Sequence, residues 1–251
     1  MSGLLLRLAG PLQSWGERSV YESRDTAGFP TRSGMLGLIA AAMGRPRGSA
    51  LADFKPLCFT VRIDRPGVRI VDYHTAGGAL PPPAKIPTAD EKGRPTGKGT
   101  IQTWREYLAD AAFTVAIEGP QALVDQVRTA LRAPHWQPYL GRRSCPPNQP
   151  LLLDRPVDDP VTELKTRVPL ARTRPATEHS VAVDFVFEDR HEDATIYTEL
   201  RDDPDAFTVI DRTYRDRPLW QVTHHLSHEL CAPRRTDYLD HLATYVTGSE
   251  R

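Results

Sequence analysis

The chain has 251 residues, with 32 Lys and Arg against 32 Asp and Glu. This length is typical of two small domains, or of one domain with a large insertion. The net charge of zero excludes a chain that is basic throughout, but residues 1–150 carry 19 Lys and Arg against 12 Asp and Glu, and residues 151–251 carry 13 against 20. We interpret this split as a basic half that binds a polyanion and an acidic half that faces solvent or a protein; the alternative is chance.

Cysteine spacing and the length of the apolar runs indicate the cellular compartment of the protein. Cys58, Cys145 and Cys231 lie far apart and without Cys-x-x-Cys spacing. This pattern predicts a reducing compartment and argues against a disulfide or zinc framework. The apolar run at 4–6 is too short for a signal peptide, and no run is long enough to span a membrane. We therefore expect a cytoplasmic protein without a metal or cofactor.

The N-terminal half has the element order of a ferredoxin-like domain. Apolar alternation and helical spacing predict strands and helices in the following segments: strands over 4–8, 58–64 and 113–118, and helices over 31–44 and 119–134. The sequence Phe-Thr-Val-Arg-Ile-Asp at 59–64 is nearly repeated by Phe-Thr-Val-Ala-Ile-Glu at 113–118. Such an echo is expected of equivalent strands in a duplicated β-α-β unit. The order predicts an α+β, ferredoxin-like N-terminal domain.

The middle of the chain predicts a hairpin that projects from this domain. Residues 101–108 carry aromatic, cationic and amide side chains on both faces, so they offer no dry face to a core. Cations interleaved with aromatic residues suit a single strand, because charges bind phosphates and flat rings stack on bases. The alternative is a solvated loop with its aromatic side chains packed on the domain. The candidate RNA-binding residues here are Tyr73, His74, Lys98, Gln102, Trp104 and Arg105.

Three further segments offer candidates for binding a polyanion. The entry of the first predicted helix, Arg32-Ser33-Gly34, has free backbone N–H groups beside an arginine, although an ordinary cap explains it equally well. The loop over 139–145 carries an arginine pair, which a plain surface pair also explains. The polar segment after the first strand supplies the remaining candidates. Together these segments contribute Gln13, Trp15, Arg24, Arg32, Ser33, Tyr139, Arg142, Arg143 and Cys145.

Two segments resemble a phosphate-binding loop and a metal site, but neither matches its motif. The segment 93–99 is one residue short of a phosphate-binding P-loop and lacks the Ser or Thr after its lysine. His224 and His228 have a spacing found in metal sites, but no His-Glu-x-x-His motif surrounds them. No arrangement of a nucleophile with a base can be identified. We expect no catalytic residue and no metal ligand.

The second half predicts a small β-rich domain. Apolar patterns predict strands over 161–170, 180–187, 194–200 and 219–226, separated by acidic turns at 188–193 and 202–205. A polar tail follows, with a helix near 238–245. The predicted organisation is a domain at 1–150 with a hairpin insertion at about 72–108, a β-rich domain at 151–227, and a tail at 228–251.

Five blocks of sequence resemble a known family. They are Leu-Arg-Leu-Ala-Gly-Pro-Leu-Gln-Ser-Trp-Gly (6–16), Phe-Pro-Thr-Arg-Ser-Gly-Met-Leu-Gly-Leu (29–38), Asp-Tyr-His-Thr (72–75), Thr-Ile-Gln-Thr-Trp-Arg-Glu-Tyr-Leu (100–108) and Pro-Tyr-Leu-Gly-Arg-Arg-Ser-Cys-Pro (138–146). With these blocks, residues 3–153 resemble the Cas-five family of the RAMP superfamily, in its type I-E CRISPR Cascade branch. Residues 154–251 match loosely, and the loop at 76–98 diverges.

The resemblance implies a function and a set of partners. It implies a ferredoxin-like (RRM/RAMP) domain that holds the 5′ handle of the CRISPR RNA, with a protruding thumb at 75–100. The implied protein partners are the backbone subunit CasC and the large subunit CasA, with no membrane and no small-molecule substrate. Members of this branch are similar in having no nuclease role. The alternative is a metal-independent endoribonuclease, as in a sister branch, with Tyr73, His74 and Lys98 supplying acid–base chemistry.

Overall fold

The computed structural model describes residues 3–17, 19–20, 22–76, 101–191, 194, 196–207 and 212–248. Lys98 and most of the predicted thumb lie outside these residues. The strands and helices are β1 (Gly3–Ala9), β2 (Leu12–Gln13), β3 (Ser19–Val20), β4 (Ser23–Arg24), α1 (Arg32–Ala42), β5 (Cys58–Arg65), β6 (Val68–Ala76), β7 (Ile101–Ala109), β8 (Ala112–Glu118), α2 (Gln121–Arg132), β9 (Leu152–Val157), α3 (Pro160–Thr166), β10 (Leu170–Thr173), β11 (Ser180–Phe187), β12 (Ile196–Phe207), β13 (Arg212–Ser227), β14 (Cys231–Ala232) and α4 (Tyr238–Thr247). Within these ranges, no helix has the length and apolar character needed to cross a membrane.

A large antiparallel sheet organises the chain. Its seven strands follow the order β12-β13-β11-β5-β8-β1-β9. The two echoed segments lie side by side in it, with Phe59 opposite Ile117 and Val61 opposite Val115. The sheet takes β9 and β11 from beyond residue 150, since β9 pairs with β1 and β11 pairs with β5. Both halves of the chain therefore contribute to one sheet, and the division at residue 150 stays a prediction.

The first strand is buried on both faces of the sheet. Leu4, Leu6 and Leu8 pack into a core with α1 and α2. Leu5 and Ala9 point to the opposite face and pack into a second core that includes residues of α3 and α4. Because side chains alternate between the faces of a strand, a strand covered on both sides is apolar at nearly every position. The short leucine run of the sequence reflects this central place.

The two helices predicted for the N-terminal half are confirmed. Thr31 caps α1 with a side-chain oxygen that accepts the N–H of Gly34 at 3.3 Å. Helix α2 begins after Pro120 and buries Val124, Val127 and Leu131. These apolar residues recur at helical spacing on one face, which packs on the sheet.

A smaller sheet carries the predicted hairpin. Strands β6 and β7 pair antiparallel along their whole length, from Val68 opposite Ala109 to Ala76 opposite Ile101. Strand β7 also pairs with β2 and, in parallel, with β4. The two strands of the hairpin predicted for the middle of the chain are therefore confirmed as β6 and β7.

Two predictions for the second half are wrong. The segment 161–170 was expected to be a strand, but helix α3 occupies its first part, because the Asp159 carboxylate accepts the N–H of Thr162 at 2.9 Å and Pro160 sits in the first turn. The expected acidic turn at 202–205 lies inside β12, where Asp202 is buried among cations. The predicted strands over 180–187 and 219–226 and the C-terminal helix are confirmed as β11, part of β13 and α4.

Candidate nucleic-acid interface

An open cleft of about 930 Å³ lies beside helix α1, and we name it the arginine cleft. Its charged lining residues are Arg24, Arg45, Arg47, Arg142 and Arg143. Among the described residues that line it, none is Asp or Glu. Because like charges focus the field inside a concave surface, such a cleft attracts a polyanion. The aromatic residues Trp15, Trp136, Tyr139 and Tyr214 also line it.

A tight loop presents two of these arginines. Gly141 has a positive φ of +81°, and a Cβ added there would lie 1.7 Å from the carbonyl oxygen of Ser14. Only glycine permits both the conformation and this close approach. Backbone hydrogen bonds close the loop, from the N–H of Leu140 to the carbonyl of Cys145 and from the N–H of Cys145 to the carbonyl of Arg142, both at 2.8 Å. The loop therefore holds Arg142 and the exposed Arg143 at the cleft.

The guanidinium of Arg142 is fixed by its neighbours. Its Nη2 donates to the backbone carbonyl of Arg24 at 3.1 Å. The guanidinium carbon lies 4.8 Å from the centre of the Tyr107 ring, in the range of a cation–π contact. These contacts orient the cation before any ligand binds.

The β6–β7 hairpin offers a second, aromatic surface. Tyr73 lies opposite Trp104, with ring centres 5.5 Å apart, and the two residues are 50% and 44% exposed. His74, beside Tyr73, lies 2.6 Å from the Asp72 carboxylate. Gln102 is exposed and Arg105 is half-buried, its Nε donating to the Thr103 hydroxyl at 3.1 Å. An exposed pair of aromatic rings, here tilted by 53° to each other, is a suitable platform for nucleobases.

The hairpin and the arginine cleft are joined through β4. The backbone N–H of Trp104 donates to the carbonyl of Glu22 at 2.9 Å. Arg24, which lines the cleft, lies in register with Arg105 of the hairpin. The two surfaces therefore lie next to each other along one strand pair.

Of the four predicted RNA-binding residues that the structure describes as buried, Gln13, Trp15 and Cys145 have uncharged side chains. Gln13 donates through Nε2 to the carbonyls of Leu8 at 3.0 Å and Ala111 at 2.9 Å, and its Oε1 accepts the indole N–H of Trp15 at 3.0 Å. Trp15 packs under helix α1, and Cys145 is buried, which raises the pKa of its thiol. Their placement supports a structural role for these side chains, not contact with RNA.

Arg32 is also committed to contacts within the protein. Its side chain donates to Glu188 at 2.7 Å and to Asp203 at 3.2 Å, and its backbone N–H donates to Asp202 at 2.6 Å. The helix entry that was predicted to hold a phosphate is thus occupied by a carboxylate of the same chain. Ser33, which follows it, is half-buried and lines the cleft, as does Tyr139.

Several residues of the cleft are not among the predicted site residues. Arg45 pairs with Asp53, with Nη1 2.8 Å from Oδ1, and its guanidinium lies 4.2 Å from the centre of the Phe54 ring. Arg47 follows two residues later, so the basic turn Arg-Pro-Arg-Gly after α1 was the available signal. Trp136, which is 45% exposed, was another. In the described part of the chain, no three His, Cys, Asp or Glu side chains come together as a metal site.

A basic cleft next to an aromatic hairpin, on a mixed α/β fold, defines a candidate nucleic-acid-binding protein. A sequence model of the family described as CRISPR-associated protein (Cas_Cas5) matches residues 3–223. Because this match spans most of the chain, the chain belongs to the Cas5 family.

Similar proteins agree with this membership. The CRISPR system Cascade subunit CasD of Escherichia coli (strain K12) is 43% identical over 168 residues, which cover 61% of this chain and 70% of CasD. A solved chain described as CRISPR RNA-guided surveillance complex is 48% identical, with a TM-score of 0.86 and 98% and 99% of the two chains covered. A second, described as Crystal structure of Cas protein, is 31% identical, with a TM-score of 0.63 and coverage of 92% and 100%.

Proposed function

We propose that this chain is a CRISPR RNA-binding subunit of a type I-E Cascade surveillance complex, which holds the 5′ handle of the guide and caps the backbone filament for antiviral defence. The single observation that carries the proposal is the arginine cleft, five arginines without an acidic residue among the described lining. Phosphates of a single strand suit such a surface, and exposed aromatic rings beside it suit the bases. The names of the relatives, a Cascade subunit and an RNA-guided surveillance complex, support it.

The proposed protein partners are a CasC-type backbone subunit and a CasA-type large subunit. The β6–β7 hairpin would serve as the base of the thumb that packs on the backbone subunit. Its outer strand carries apolar residues that are exposed in the isolated chain, Val68 and Val71. We place the RNA in the arginine cleft and the backbone subunit at this hairpin.

We also propose that residues 1–150 form a ferredoxin-like domain with this hairpin as an insertion, followed by a small β-rich domain at 151–227 and a tail at 228–251. The strand order β5-β8-β1-β9, with α1 after β1 and α2 after β8, supports the ferredoxin-like assignment. In that assignment β9 is the fourth strand of the unit, which extends it slightly past residue 150.

We propose no catalytic role. The competing proposal, a metal-independent endoribonuclease, has one supporting observation, the contact of 2.6 Å between His74 and Asp72 on the hairpin. An imidazole next to a carboxylate suits acid–base chemistry. Incubating repeat RNA with wild-type protein and with His74→Ala separates the two, since cleavage that depends on His74 would favour the nuclease.

The test of RNA binding uses the full chain and the short RNA that co-purifies with its complex. Binding is measured by fluorescence anisotropy between 50 and 300 mM salt, roughly the range in which counterion release changes affinity strongly. Each phosphate neutralised on a single strand contributes about −0.7 to the slope of log K against log salt. We expect Arg142→Ala/Arg143→Ala to weaken binding and to make the slope less negative by about 1.4, if each arginine neutralises one phosphate.

The matched control removes two arginines elsewhere. Arg132 and Arg167 have exposed side chains that pair with Asp154 and Glu163, and Arg132→Ala/Arg167→Ala removes the same charge. We expect this control to retain the wild-type slope. Equal losses in the two double variants, or no binding of the RNA by the wild-type chain and its complex, would remove the basis of the proposal.

A further inference from the structure

One lining residue of the arginine cleft, Tyr214, comes from the acidic half of the chain. Strands β12 and β13 form a long antiparallel ribbon, and Tyr214 on β13 lines the cleft. In this ribbon, Tyr214 lies opposite Pro204, and its backbone carbonyl accepts the Nε of Arg201 at 3.1 Å. The ribbon therefore brings an aromatic side chain to a surface whose other lining residues belong to residues 14–146.

A bulge in β12 attaches the ribbon to helix α1. The register of β12 against β13 shifts between Arg201 and Asp203, which leaves Asp202 as the extra residue. Bulges turn a side chain away from its regular direction. Asp202 is buried, and its carboxylate accepts the backbone N–H of Arg32 at 2.6 Å and the Nε and Nη2 of Arg217 at 2.6 and 2.9 Å. One side chain thus joins both strands of the ribbon to the start of α1.

A second, largely buried carboxylate completes the attachment. Glu188, which follows β11, lies 2.7 Å from Arg32 and 3.2 Å from Arg217. It also accepts the backbone N–H of Phe59 in β5 at 3.1 Å. Breaking a buried ion pair leaves a charge without its partner, so such a pair resists displacement of the elements that it joins. The ribbon, α1 and the central sheet are fixed relative to one another by these two carboxylates and two arginines.

We propose that the β12–β13 ribbon forms part of the RNA site. In this proposal, Tyr214 contacts a nucleobase, and Asp202 is the positioning residue that holds Tyr214 at the cleft. The proposal rests on the proposed RNA-binding function and extends it to the acidic half of the chain. The chemical class of the ligand is a single-stranded RNA whose phosphates lie on the arginines and one of whose bases stacks on the tyrosine ring.

A double-mutant cycle tests the link between the two residues. The full chain is titrated with the RNA that co-purifies with its complex. Loss of one stacked base weakens binding by about tenfold, and we expect this loss for Tyr214→Ala. Tyr214→Phe keeps the ring, so its affinity should stay within about twofold of wild type. Asp202→Asn should weaken binding in the wild-type background and add less than about a twofold loss in Tyr214→Ala, because residues acting through one another are not additive.

A charge-matched control sits on the same ribbon. Asp216 is exposed on β13, opposite Arg201, and Asp216→Asn should leave the affinity within about twofold of wild type. A structural effect of Asp202→Asn on RNA affinity would instead persist in the Tyr214→Ala background. Additive losses in the cycle would overturn the positioning role.

A second measurement covers the case in which Asp202→Asn does not fold. RNA that carries 4-thiouridine is photo-crosslinked to the wild-type chain, and the modified peptides are mapped by mass spectrometry. We expect a crosslink on the peptide that contains Tyr214, and its absence together with full binding by Tyr214→Ala would overturn the proposal. If Arg142→Ala/Arg143→Ala loses binding while Tyr214→Ala does not, this inference fails alone. If neither loses binding, the proposed function fails with it.

Discussion

Arg62 and Asp64 form a bidentate ion pair inside the protein, with side chains that are 0% and 1% exposed. The Nε and Nη2 of Arg62 lie 2.6 and 3.1 Å from the two carboxylate oxygens. Its remaining N–H groups donate to the backbone carbonyls of Leu164, Val168 and Pro169 at 2.6 to 2.8 Å. The arginine therefore ties β5 to the end of α3 and to the turn that follows it, and thus joins the two halves of the chain.

We predict that Arg62→Ala lowers the free energy of unfolding by about 3–5 kcal/mol, because the Asp64 carboxylate stays buried without its partner. Urea unfolding followed by circular dichroism measures the loss. Arg132→Ala is the control, since Arg132 binds Asp154 with the same two-point geometry, at 2.6 and 2.8 Å, but with side chains that are 58% and 34% exposed. Water screens that pair, so we expect a much smaller loss. Similar losses in the two variants would contradict the assignment.

Gly141→Ala should destabilise the chain and weaken RNA binding. A positive φ costs a residue with a Cβ about 1–3 kcal/mol, and the contact with the Ser14 carbonyl forces the loop to move as well. Thermal unfolding and the anisotropy assay measure the two effects. Gly37→Ala, in the interior of α1, is the stability control: its Cβ would meet no atom within 4 Å, and we expect a gain of about 0.5–1 kcal/mol. Wild-type stability in Gly141→Ala would count against a strained loop.

Cys58 should react slowly with iodoacetamide in the native state. Burial raises the pKa of its thiol to about 12, and the carboxylates of Glu188 and Asp189 add to the rise. The thiolate is the reactive form, so at pH 8.5 native alkylation should be slower than in urea by a factor on the order of 10²–10³. Asp189→Asn should speed the native reaction, which mass spectrometry follows at this cysteine alone.

The raised pKa of Cys58 also makes the stability of the protein depend on pH. The unfolded thiol ionises near pH 9, whereas the folded thiol stays neutral up to about pH 12. The contribution of Cys58 to stability is therefore present below pH 9 and declines as pH rises toward 12. Equal alkylation rates for Cys58 in the native and unfolded states would show that the thiol is accessible and unperturbed.

Local pattern was sufficient to predict much of the fold. The near-repeat at 59–64 and 113–118 identified two strands that prove to be neighbours, and the apolar face of Val124, Val127 and Leu131 identified α2. In these two cases, the preference of a short segment agrees with its tertiary place. The segment 101–108 was predicted to offer no dry face to a core, and this is wrong in part: Trp104 is exposed, but Tyr107 and Leu108 are buried in the main core.

The site was harder to predict because burial of polar groups depends on distant partners. The side chain of Gln13 is buried because its amide N–H groups donate to the carbonyl of Leu8, which is near in sequence, and to that of Ala111, which is far away. Asp202 is in a segment that resembles a solvated turn, and contacts with Arg217 and with the backbone of Arg32, 170 residues away, place it inside. Tyr214 and Arg47 line the same cleft because the fold brings them together, although they lie far apart in the sequence.

Trp104→Ala should weaken RNA retention in the assembled complex by about tenfold, since one stacked base is lost with the indole. The exposed indole lies against Tyr73 at the open face of the hairpin, so its removal exposes no core. Retention is measured as the fraction of RNA that co-purifies after a high-salt wash. Tyr197→Ala is the control, because this tyrosine is 58% exposed and packs near another ring, that of Trp220. If both variants lose RNA equally, aromatic exposure alone explains the effect and the hairpin is not a specific platform for bases.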